Sequence, residues 1–137
     1  TDDQTENLRL LCERVLQPVR DHFNQVVSIS SGFRDPILSQ KIGSSINSQH
    51  CKGEAADLEI FGVANNELAD WIKENLMFDQ LILEYYTPGE PNSGWVHVSY
   101  TKEINSNRKE YLMATKNATG KTEYKQILGL STDRYVK

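Results

Sequence analysis

Two segments rich in β-forming residues, Gln80–Tyr86 (QLILEYY) and Trp95–Tyr100 (WVHVSY), flank the turn-dense stretch TPGEPNSG. Branched and aromatic side chains favour the pleated chain, whereas Pro, Gly, Asn and Ser interrupt it. The pair therefore predicts an antiparallel hairpin with a long, functional tip. Strand alternation puts Trp95, His97 and Ser99 on one face and Val96, Val98 and Tyr100 on the other. In the partner strand, Gln80, Ile82, Glu84 and Tyr86 share a face.

The remaining segments supply elements to pack on this hairpin. Residues 8–23 carry an apolar helical stripe of Leu8, Leu11, Cys12, Val15 and Val19, with Pro18 expected to kink or split it near Leu16. Val26 to Ser30 reads as a strand running into the turn Ser31-Gly32, and Asp35-Pro36 opens a short helical or looped stretch. Residues 43–54 are polar and glycine-containing, a loop that leads into a buried strand from Ala55 to Ile60. A second helix is expected with Asn65 or Asn66 as its cap and Glu67 in its first turn; Leu68, Trp71, Ile72 and Leu76 form its apolar face. Tyr111–Thr115 and Glu123–Leu128 predict another hairpin around Asn117-Ala118-Thr119-Gly120. These elements predict one α+β domain over residues 1–137, a small antiparallel sheet with helices packed on one side. A chain of 137 residues buries roughly two-thirds of its unfolded surface, enough for a core without disulfides.

Charge and hydropathy narrow the partners. The net charge is −4 and the basic residues are scattered, which argues against nucleic acid. No apolar run approaches the roughly 18 residues of a membrane span, so no membrane insertion is expected. A monomer is the simplest state. Cys12 and Cys51 are too few for a disulfide scaffold and read as small, partly buried thiols, although Cys51 beside His50 also enters consideration as a metal ligand.

Of the three histidines, His22 sits near the end of the first helix, a place suited to a structural or surface role. His50 lies in the polar loop, and Asp57 follows seven positions later inside the run Ala55-Ala56-Asp57-Leu58. A carboxylate in a buried strand needs a cation or strong donors. His50, Asp57 and His97 would make a three-ligand set for catalytic zinc with one position open to water. The spacing alone also admits an Asp57–Arg34 pair with histidines that merely pack.

Three local words occur in order: Ser31-Gly32-Phe33-Arg34, then Ser48-Gln49-His50-Cys51-Lys52-Gly53-Glu54-Ala55-Ala56-Asp57, then Trp95-Val96-His97-Val98. Together they resemble the zinc D-alanyl-D-alanine carboxypeptidase family, which includes VanX-type dipeptidases and phage endolysins and shares its fold with the hedgehog signalling domain. The similarity runs from about Val26 to Tyr100. It implies that His50, Asp57 and His97 hold Zn2+ and that Arg34 binds the substrate and stabilises its developing oxyanion. It further implies that Ser48 contacts substrate or holds its loop. The implied activity is cleavage of peptidoglycan stem peptides at the cell wall, as a carboxypeptidase or an endolysin-type endopeptidase, by zinc-activated water. Gly53 is expected at a positive-φ or close-approach position.

Such chemistry needs a general base. Many relatives carry an acid three positions before the last histidine, where this chain has Gly94. Glu84 is the expected substitute, because the hairpin can bring it beside His97; Glu59 and Glu90 compete. Without a base the domain would be an inactive, zinc-stabilised binding or virion module.

Overall fold

A computed structural model describes residues 2–31, 52–129 and 134–136 of the chain. Its first helical run has three parts: α1 (Asp2–Leu11), a π-helical turn (Cys12–Leu16) and α2 (Gln17–Phe23). The π-turn is the form that the expected kink takes. Pro18 has no N–H, and its ring crowds the carbonyl four residues back, so the ladder widens just before it. The Gln17 N–H accordingly bonds the Cys12 carbonyl, five residues earlier. Leu11, Val15 and Val19, spaced by four, are all buried along this widened face. Cys12 is turned outward and exposed, contrary to its expected place on the apolar stripe.

Seven strands among the described residues form one sheet. They are β1 (Val27–Ser31), β2 (Ala55–Ile60), β3 (Gln80–Glu84), β4 (Trp95–Ser99), β5 (Glu110–Lys116), β6 (Thr122–Gly129) and β7 (Arg134–Val136), in the order β1-β2-β4-β3-β5-β6-β7. The β3–β4 and β5–β6 hairpins form where the sequence predicts them. Two features were not anticipated: strand β7, and the parallel pairing of β3 with β5 in an otherwise antiparallel sheet. An ion pair between exposed Arg108 and buried Asp79 accompanies the parallel step. Arg108 Nε and Nη2 donate to the two Asp79 oxygens at 2.9 and 3.1 Å, and Lys109 N–H bonds the Phe78 carbonyl. The chain that leaves β4 is thereby carried back to the start of β3 before β5 begins.

Alternation then sorts the central strands into two faces. Ala56, Leu58 and Ile60 of β2, Leu81 and Leu83 of β3, and Val96 and Val98 of β4 are buried against Leu11, Val15 and Val19. Leu68 and Ile72 of α3 (Asn65–Asn75) complete this core. His22, for which a structural or surface role is expected, is exposed and stacks on Trp71 of α3 at 4.4 Å between ring centres. The opposite face carries Asp57, Ile82, Glu84, Trp95 and His97.

Neither predicted asparagine caps α3; its N-cap is Ala64, without a side-chain bond. Asn65 instead is buried and donates through Nδ2 to the carbonyls of Ser93 and Gly94 at 3.0 and 3.2 Å. The helix start thus clamps the end of the β3–β4 loop.

Candidate metal centre

The register of three adjacent strands builds the site. Asp57 of β2 stands directly opposite His97 of β4, and Ile82 and Glu84 of β3 face His97 and Trp95. Directly opposed residues project to the same side of the sheet, so the three polar side chains converge. His97 Nδ1 and Asp57 Oδ1 are 3.0 Å apart, and one donor atom from each of Asp57, Glu84 and His97 lies within 4.8 Å of the others. Asp57 is buried at 9% exposure, whereas Glu84 and His97 are half-buried.

The donor set fits a divalent ion. Two ligands at the usual zinc bond lengths stand about 3.4 Å apart across a tetrahedron, close to the 3.0 Å observed between Asp57 and His97. A buried carboxylate and an imidazole, on the face opposite the one that the described helices cover, supply charge and a nitrogen donor in one place. These three residues could therefore hold a metal ion. Of the other expected site residues, His50, Arg34 and Ser48 lie outside the described residues, as does Cys51.

A family model described as Peptidase M15 matches residues 2–99. The chain belongs to this peptidase family. No curated protein matches it.

In this M15 peptidase the position three residues before His97 is closed to any side chain. Gly94 has φ +65°, and a β-carbon on it would lie 1.9 Å from the Glu84 carbonyl oxygen. The returning loop packs its backbone on β3, leaving no room for an acid there. Glu84, on the strand it packs against, brings a carboxylate to the cluster. Its Oε2 accepts the Trp95 indole N–H at 2.7 Å, which orients the carboxylate across the face. The rivals sit elsewhere. Glu59 Oε1 accepts a long bond from Asn65 at 3.4 Å, and Glu90 is exposed in the hairpin tip, where its N–H bonds the Thr87 carbonyl.

Gly53 meets both expectations for it. Its φ is +75°, and a β-carbon would stand 2.7 Å from the Gln4 carbonyl oxygen on α1. Asn7 of α1 also donates to the Lys52 carbonyl at 2.8 Å, so the first helix buttresses the turn that feeds β2. Beside this turn, burial raises the Glu54 carboxyl above its ordinary range.

One face assignment is corrected. Tyr86 does not continue the Gln80-Ile82-Glu84 face but packs against the core. Tyr85 adopts φ +57°, which breaks the alternation and brings its ring to the site side. There it meets Trp95 edge-on at 5.4 Å, and its hydroxyl pairs with Thr122 Oγ1 at 2.8 Å. A positive φ at a tyrosine leaves no signal in the sequence, because only glycine and asparagine announce that conformation.

Proposed function

We propose that the chain is a zinc peptidase that cleaves short peptides of bacterial peptidoglycan, with His50, Asp57 and His97 as metal ligands and Glu84 as general base. The observation that carries this reading is the convergence of Asp57, His97 and Glu84 on one face of the sheet in a chain of the M15 family. A zinc ion bound there would polarise the scissile carbonyl and acidify a water.

The chain's own groups do the remaining work. Glu84, oriented by Trp95, removes a proton from the attacking water. The water oxygen bonds to the carbonyl carbon, the C–N bond breaks, and the proton held on Glu84 passes to the leaving nitrogen. Arg34 stabilises the oxyanion that develops on the carbonyl, and Ser48 holds the substrate. The protein acts as a monomer at the cell wall. No helix among the described residues is long and apolar enough to cross a membrane.

The test is zinc content and cleavage together. Wild-type protein should carry about one zinc per chain and cut defined muropeptides, with the products identified by mass and abolished by a chelator. Glu84→Gln should keep the zinc and lose cleavage by about a hundredfold or more. A wild-type chain that holds zinc yet leaves every muropeptide intact would instead support a zinc-stabilised binding or virion module, the role compatible with Gly94 in place of an acid.

A further inference from the structure

The family match ends at residue 99, yet the sheet continues past Glu84 through β5 and β6. Glu84 pairs with Ala114 of β5, and Ala114 pairs with Tyr124 of β6. Tyr124 therefore projects on the same face as Glu84, two strands away, or about 10 Å along the sheet. It is 56% exposed, and partial burial, followed by the negative charges of Glu84 and Tyr85, raises its phenol above the ordinary range.

Lys116, two positions beyond Ala114, lies on this face as well. Its Nζ stands 5.8 Å from the centre of the Tyr85 ring, within cation–π range. The ring is itself fixed between Trp95 and the Thr122 hydroxyl. An ammonium group set over the Tyr85 ring and a phenol on the same face thus stand beyond Glu84, on side chains that lie outside the matched segment.

We propose that Tyr124 and Lys116 form the leaving-side subsite, one that takes a residue ending in a free carboxylate. The inference rests on the peptidase reading. Glu84 delivers its proton to the leaving nitrogen, so the residue bearing that nitrogen lies next to Glu84, and the ground beyond Glu84 is where β6 stands. An ammonium and a phenol are together the partners of a carboxylate.

The experiment compares a stem peptide bearing a free C-terminal carboxylate with its C-terminal amide. Both are given to zinc-loaded wild type, Tyr124→Phe and Lys116→Met. Wild type should prefer the free acid. Lys116→Met should raise KM for the acid about tenfold, erase the preference and leave kcat within about twofold; Tyr124→Phe should raise KM severalfold. In a Glu84→Gln background, where cleavage is stopped, Lys116→Met should weaken binding of the acid by the same factor and leave binding of the amide unchanged. Both positions are exposed, so the variants should fold as wild type does. Equal KM values for wild type and both variants, with cleavage intact, would overturn the subsite and leave the peptidase standing. A wild type that cleaves neither peptide overturns both.

Discussion

The carbonyl oxygen of Glu84 occupies the space that a β-carbon on Gly94 would need, 1.9 Å from its ideal position. That contact couples the end of β3 to the start of β4 and sets where the Glu84 carboxylate sits relative to His97. Gly94→Ala should therefore destabilise the fold by at least about 2 kcal/mol, combining the positive φ with a backbone collision. Urea denaturation measures the loss, and an unchanged midpoint would mean that the loop does not rest on β3 as described.

Asp57 and His97 face each other across β2 and β4 with their donor atoms 3.0 Å apart. Asp57→Asn keeps the size of the side chain and removes its charge. Zinc affinity should fall on the order of a hundredfold, measured by competition with a chromogenic chelator, and His97→Ala should fall as far or further. Wild-type affinity in both variants would remove these residues from the metal.

The Trp95 indole donates to Glu84 at 2.7 Å. Trp95→Phe preserves an aromatic ring and deletes the donor. The expected result is a drop in kcat of about tenfold or more with zinc content unchanged, since a hydrogen bond to a charged group is lost and the base is left misoriented. Undiminished kcat would show that Glu84 needs no such orientation.

Burial raises the Glu54 carboxyl above its ordinary value of 4.5. The unfolded chain then releases this proton at lower pH than the folded one does. Glu54 thus makes stability fall as pH rises from its ordinary value through the raised one. Glu54→Gln should stabilise the protein modestly near neutrality and hardly at all in acid. Urea midpoints across that range decide it, and a gain that grows toward low pH would reverse the sign.

Much of the fold was legible because its signals are local. Strand β2 falls on the predicted residues, and the ends of β3, β4 and α3 lie within two residues of those expected. Pro18 announced a disturbance of the first helix, though not that the ladder would widen rather than break. The parallel β3–β5 pair was not legible, because it depends on Asp79 meeting Arg108 across 29 residues. Asn65 resembled a helix cap from its neighbours alone; only the folded chain shows that its amide serves the loop at Ser93 and Gly94.

By itself, the sequence determined the strand alternation that puts Glu84, Trp95 and His97 on outward positions, together with the buried carboxylate of Asp57 and the family to which the chain belongs. Those properties follow from period, composition and short motifs. The tertiary structure alone decided that Asp57 and His97 sit in register, that Trp95 bonds Glu84, that Gly94 admits no side chain and that Tyr124 and Lys116 stand beyond Glu84. Register between distant strands, and the positive φ that turns Tyr85 over, arise from packing the whole sheet at once, and no short stretch of sequence contains them.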